Sequence, residues 1–121
     1  MAGPICFPIK DTDNHLELFL NTGLSAAVSK YELAPVTGGH LAVYDDDYPA
    51  GTKRLSVNVG PQVQVKVSDI NGALTGDRVA VYQTGANALT LTVGSNTLVG
   101  YTVGDDPHVQ SDVDTVIIEG V

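Results

Sequence analysis

Three kinds of side chain in this sequence have the chemistry to act on a ligand or substrate. The first is the run Asp45-Asp46-Asp47 in YDDDYPAG, whose carboxylate oxygens are of the type that hard cations such as calcium take. Successive residues of an extended chain point to opposite sides, so the three cannot converge on one ion. The glycine and distal glutamate of an EF-hand loop are missing here, and they are missing again around Asp11 to Asn14 (DTDN). A solvated turn before Pro49 is the plainer reading. The second kind is histidine. His15, His40 and His108 are far apart and form no close pair of the type that opens a zinc site. The third is Cys6, alone and placed between Pro4 and Pro8, with nothing nearby to favour a thiolate; a small packed thiol is expected. Gly38-Gly39 runs into a strand-like segment and not into a helix N-terminus, which suits a turn better than a phosphate cradle. No nucleophile, base or metal set emerges, so the expectation is a chain with no cofactor, no metal and no enzymatic activity.

The elements that would position these groups are short and alternating. Residues 1–14 (MAGPICFPIKDTDN) follow neither helical nor strand periodicity and read as an extended N-terminal arm, with Ile5, Phe7 and Ile9 alternating to present one apolar edge. From residue 15 to 121 the chain reads as a single β domain, with strands at 15–20, 26–33, 40–44, 54–59, 62–67, 78–83, 88–93, 97–103 and 115–121. The stretch 24–33 also contains tolerable helix formers, but its Val, Tyr and Ser content favours a strand. Leu55, Val57, Val59, Val63, Val65 and Val67 are all odd-numbered. A two-residue hairpin at Gly60-Pro61 would mix apolar and polar residues on both faces, so a bent or bulged continuous strand is expected there. Around Gly94-Ser95-Asn96, by contrast, Leu91 falls opposite Val99 and Leu89 opposite Tyr101, which predicts a hairpin and a three-stranded meander over 77–103. The terminal strand carries Val116, Ile117 and Ile118 in succession, so both of its faces should be covered, by this chain or by a neighbouring copy. The fold class expected is all-β, a small antiparallel sandwich or jelly-roll-like barrel with an extended arm.

Composition narrows the partners. With 121 residues, 43% of them hydrophobic, the chain has material for one core. Six Lys and Arg against fourteen Asp and Glu give a net charge of -8, which repels nucleic-acid phosphates and anionic lipid heads. No apolar run approaches the roughly 20 residues of a membrane helix, and the first residues lack a secretory pattern, so neither membrane nor export is expected. A lone cysteine excludes an internal disulfide, leaving burial and association with copies or partners to stabilise the domain.

Two resemblances lie in the C-terminal half. GDRVAVYQ (76–83) is similar to a strand of the trimeric dUTPases, but the aspartate-bearing substrate motif and the glycine-rich C-terminal arm are absent, and that reading is set aside. The layout of residues 76–121 resembles the small decoration, or cement, proteins of tailed-bacteriophage capsids: Gly76-Asp77 leading into an apolar strand, then Val99-Gly100, a polar turn, and an apolar terminal strand. That resemblance implies a virion structural protein, made in the host cytoplasm, that sits on the outer capsid surface and clamps neighbouring capsomers. Its partners would be the major capsid protein and, as a dimer or trimer, itself. The contact residues expected are Ile5, Phe7 and Ile9 of the arm, which should be dispensable to the fold, and Val116, Ile117 and Ile118 of the last strand. One alternative is a carbohydrate- or cell-surface-binding module with a tyrosine platform at Tyr44 and Tyr48. The other is a small hydrolase or lyase built on the histidines and the acidic turn.

Overall fold

The alternating runs become strands close to the expected places. A computed structural model describes residues 3–74, 78–103 and 115–121. Its strands are β1 Phe7–Lys10, β2 His15–Phe19, β3 Ala42–Tyr44, β4 Arg54–Val59, β5 Gln62–Lys66, β6 Ile70–Asn71, β7 Ala80–Gln83, β8 Leu89–Thr90, β9 Thr97–Val103 and β10 Thr115–Gly120, with a 3-10 turn at Val67–Asp69. They form a seven-stranded sheet in the order β1-β5-β10-β9-β7-β8-β6 and a three-stranded sheet in the order β2-β4-β3. The pairing is antiparallel except for β6 with β8, which is parallel. The chain is all-β and sandwich-like, with two open sheets in place of a closed barrel.

The odd-numbered apolar series runs through both sheets. β4 pairs with β2 and β3, whereas β5 pairs with β1 and β10, so residues 54–66 are a bent strand that changes sheets. Gly60 makes the bend at φ +75°, a left-handed conformation that favours glycine. Leu55, Val57 and Val59 bury against Ala34, Ala42 and Tyr44, in a cluster flanked by Leu18, Leu20, Leu24, Val28 and Tyr48. Beyond the bend, Val63 and Val65 join the larger core with Cys6, Leu33, Leu41, Val43, Val81, Leu89, Val99, Val116 and Ile118. One parity of side chain therefore serves two cores.

Four expectations need correction. The first is the contact role of the terminal strand, whose neighbours, of the two sources left open, both come from its own chain: β10 lies between β5 and β9, with Ile118 opposite both Val63 and Thr102. Val116 and Ile118, expected at a contact surface, are core residues; Ile117 points to the other face and is half-buried. The hairpin at Gly94-Ser95-Asn96 does not form. β9 pairs with β7, and Gly100 lets it lie close to β10, since a Cβ at that position would sit 2.6 Å from the Glu119 carbonyl oxygen. β8 pairs with β7 and, in parallel, with β6, so Leu89 enters the core beside Ile70. The segment 26–33 is neither regular strand nor helix; it makes single bridges, Val28 to Tyr48, Glu32 to Ile5 and Leu33 to Val43, and Tyr31 interrupts it at φ +70°. Finally, residues 4–10 do not stand off the domain. Leu33 N–H donates to the Pro4 carbonyl at 2.8 Å, Cys6 N–H to the Tyr31 carbonyl at 2.8 Å, and the Cys6 side chain is fully buried. Removing them would open the core.

The two faces of β10 predict different costs. Ile118→Ala should destabilise the protein by about 2–5 kcal/mol, through lost burial and the cavity left behind. Ile117→Ala on the outer face should cost under about 1.5 kcal/mol. Chemical denaturation of the two variants beside the wild type measures both.

Candidate functional site

Residues 3–15 carry the features that face outward. Because β1 pairs with β5 and Cys6 points into the core, its neighbours turn away: Ile5 is 37% exposed, Phe7 55% and Ile9 47%. The expected apolar edge is present, with Phe7 and Ile9 on β1 and Ile5 bridged to Glu32 just before it. The Phe7 ring packs edge-on against Tyr31, with centroids 5.6 Å apart, which fixes its direction. The buried carboxylate of Glu32 accepts hydrogen bonds from Gly3 N–H at 3.1 Å and Ser29 N–H at 3.2 Å, anchoring the start of the segment.

Beside this edge lies a cleft of about 610 Å³ lined by Pro8, Ile9, Asp11, His15, Lys30, Tyr31, Asp45 and Asn58. Its polar wall is a connected network. His15 Nδ1 is 2.9 Å from Asp45 Oδ2, and Ser56 Oγ donates to the same oxygen. His15 Nε2 is 3.8 Å from Asp11, which accepts from the Asn58 side-chain amide; Thr12 Oγ1 donates to Asn58 Oδ1 at 2.8 Å. The hydrogen bond that His15 donates to Asp45, offset in part by slight desolvation, raises the His15 pKa above its usual 6.5, and the charges of Asp45, Asp11 and Asp13 add to the rise. The order of groups matters chemically. In a serine-hydrolase triad the imidazole stands between hydroxyl and carboxylate and takes the hydroxyl proton. Here the carboxylate stands between them, so His15 does not activate Ser56, and the network works as a clasp joining the residues before β2 to β4 and to the turn after β3.

The other candidates separate. Within the acidic turn, Asp45 faces His15 and Ser56, Asp46 accepts from Asp47 N–H, and Asp47 accepts from Lys30 N–H at 2.7 Å. Among the described residues no group of three or more His, Cys, Asp or Glu is placed to hold a metal ion. His40 closes the Gly38-Gly39 turn, its N–H donating to Thr37; His108 and Gly76-Asp77 fall outside the described residues. Burial, with a lesser contribution from the Asp69 charge, pushes the Cys6 thiol up to about 12, consistent with a packed and unreactive group. Tyr44 is buried, and burial followed by the Glu32 charge raises its pKa. Tyr48 stacks edge-on to Tyr44, and its hydroxyl accepts from Ser56 N–H. These two rings pack the second core, and Tyr31 lines the polar cleft beside the apolar edge. The His15–Asp45 pairing spans thirty residues and has no local signature in the sequence.

The elevated His15 pKa stabilises the fold fully at pH values below the unfolded-state value of about 6.5, and that contribution is lost as pH rises through the folded-state value. In an NMR titration of the imidazole, the wild type should titrate above 6.5 and Asp45→Asn should bring it back down. An unchanged titration in the variant would show that the pair does not control it. Compared with known proteins, the chain matches no family model, no curated protein and no solved structure.

Proposed function

We propose that this chain is a non-enzymatic structural protein that attaches to the outer surface of a tailed-phage capsid and stabilises contacts between capsomers. The observation that carries the reading is the row Ile5, Phe7 and Ile9: three large apolar side chains exposed at alternate positions of β1 and the residues just before it, a segment whose backbone is hydrogen-bonded to the domain. Covering them on a partner removes their remaining apolar area from water; since about half of each side chain is already buried, the gain is about half of the roughly 1.5–3 kcal/mol of full burial. The layout of Val99-Gly100 followed by an apolar last strand supports the same assignment by resemblance. Gly100 has a physical role of its own, allowing β9 and β10 to approach.

The alternative, a carbohydrate-binding module, cannot use Tyr44 and Tyr48 as its platform, because Tyr44 is only 5% exposed. Such a module would depend on Tyr31 in the cleft with Asp11, His15 and Asn58. Absence of binding on a glycan array removes that alternative.

Because residues 4–10 are part of the fold, the test is substitution and not deletion. Phe7→Ser with Ile9→Ser should leave the circular dichroism spectrum and denaturation midpoint nearly unchanged, both side chains being about half exposed. The variant should bind undecorated capsids of the encoding phage about tenfold to a hundredfold more weakly in co-sedimentation. A double variant that sediments as well as the wild type, or a wild type that never does, overturns the proposal.

A further inference from the structure

The two sheets end in different kinds of edge. β1 is blunted: Pro8 lacks an N–H, the register shifts between Pro8 and Lys10, and Lys10 adds a charge, all devices that discourage pairing with another strand. β2 has neither proline nor bulge, and its one acidic residue, Glu17, is paired with Arg54. It runs His15-Leu16-Glu17-Leu18-Phe19 in unbroken register against β4, from His15 opposite Asn58 to Phe19 opposite Arg54, and its other side carries no strand among the described residues. Val59 N–H donates to the Asn14 carbonyl and Leu20 N–H to the Lys53 carbonyl. By the alternation of an antiparallel ladder, the backbone groups of Leu16 and Leu18 therefore also face β4, and those of His15, Glu17 and Phe19 face the open edge. The His15 N–H is turned onto Asp13; the groups of Glu17 and Phe19 and the His15 carbonyl remain for a partner. Leu16 is 43% exposed and Phe19 59%, and alongside them Leu18, Leu20, Leu24, Val36 and Leu55 open an apolar groove of about 290 Å³.

We propose that β2 pairs antiparallel with β2 of a second copy about a twofold axis through Glu17, making one continuous sheet in the order β3-β4-β2-β2-β4-β3. The sequence of β2 complements itself in this register. The residues with outward backbone groups meet one another: Glu17 with Glu17 can exchange both bonds of a ladder pair, and each Phe19 N–H can donate to the His15 carbonyl of the second copy. On the groove side, Leu16 of each copy meets Leu18 of the other, extending the smaller core across the axis. On the opposite side each Phe19, with the Arg54 guanidinium over its ring at 5.4 Å, is covered by the imidazole of the other copy. The two glutamates face each other, the one unfavourable contact. Each has its own Arg54 at 3.3 Å and lies diagonal to His15 of the second copy, so the strip alternates in charge instead of repelling. A shift of register by two residues places Glu17 opposite His15, which sets Leu18 opposite Asn14 and breaks the Leu16–Leu18 contact, or Glu17 opposite Phe19, which sets His15 opposite Asn21 and breaks the Phe19–His15 pair.

The pairing goes beyond the capsid reading and does not require it, since it is tested on purified full-length protein alone. Light scattering coupled to size exclusion should give twice the 12.6 kDa chain mass up to near-millimolar concentration. Glu17→Pro removes an N–H that faces the open edge and none that faces β4, so it should yield a folded monomer. Glu17→Cys supplies an independent arm: its two Cα atoms would lie about 5.5 Å apart across the axis, within disulfide range, so oxidation should link two chains. Phe19→Cys, about four residues out of register with itself, should not link. Cys6 is buried and does not compete. A wild type that is monomeric throughout, a dimer unaffected by Glu17→Pro, or cross-linking as efficient at position 19 as at 17 each overturns the proposal.

Discussion

The constraint on which the rest of this structure depends is the bend at Gly60-Pro61. Residues 54–66 keep one parity of apolar side chain, yet that face is buried in two different places, the smaller core before the bend and the larger one after it. A strand of this length cannot stay straight inside a domain of this size. Turning at Gly60 sends its second half into the seven-stranded sheet, with the bend locked from both sides: Gly60 N–H donates to the Leu41 carbonyl, and Gly120 N–H to the Pro61 carbonyl. Space there is so limited that a Cβ on Gly120 would lie 2.9 Å from the Pro61 carbonyl oxygen. Because β10 ends at this lock, its place between β5 and β9 follows from the bend. The apolar terminal strand is consumed internally, and any outward contact must come from elsewhere.

Exposed apolar side chains stand instead at the edges formed by β1 and β2, and residues 3–15 shape both. This segment lays β1 along β5, ends its pairing with a proline and a bulge, and then crosses to begin β2 in the other sheet. The crossing is held by Asn58, whose amide and carbonyl are used by Asp11 and Thr12, and by His15 on Asp45. The buried Asn58 is paired on both sides, the condition under which a polar side chain can be tolerated among apolar neighbours. The edge strands thus differ in character. β1 is closed to backbone pairing but rich in exposed apolar side chains, which suits a surface that packs against something. β2 offers backbone groups as well as side chains, which suits a surface that adds a strand.

Much of this was legible from alternation and parity alone. The bounds of β4 and β9, the strand class of the whole, the change of direction at Gly60 and the exposed row Ile5, Phe7, Ile9 are all local consequences of where apolar residues stand relative to glycine and proline. What was not legible depends on partners distant in sequence. Leu89 and Leu91 match Val99 and Tyr101 as a hairpin would, but the closeness of β9 to β10 at Gly100 favours a different neighbour for each. Val116 and Ile118 have the composition of an interface as much as that of a core, and only the pairing of β10 on both sides separates the two. The His15–Asp45 contact has the same character, since neither residue's neighbours announce it.

The apolar edge and the polar cleft are not independent sites, because Pro8 and Ile9 belong to both. A partner covering Ile9 must therefore also approach Asp11, His15 and Asp45. Burial beside those groups would strengthen the attraction between His15 and its carboxylates by lowering the local dielectric, while removing water that now solvates them. Such a partner gains from the apolar row in full only if it also satisfies the free oxygens of the cleft wall. For a partner docked here, the apolar stripe would supply affinity and the polar clasp beside it would restrict which surfaces could use it. Specificity at this edge then rests on the same residues that tie β1 to β2, so the geometry presented to a partner and the integrity of the crossing are set by one network.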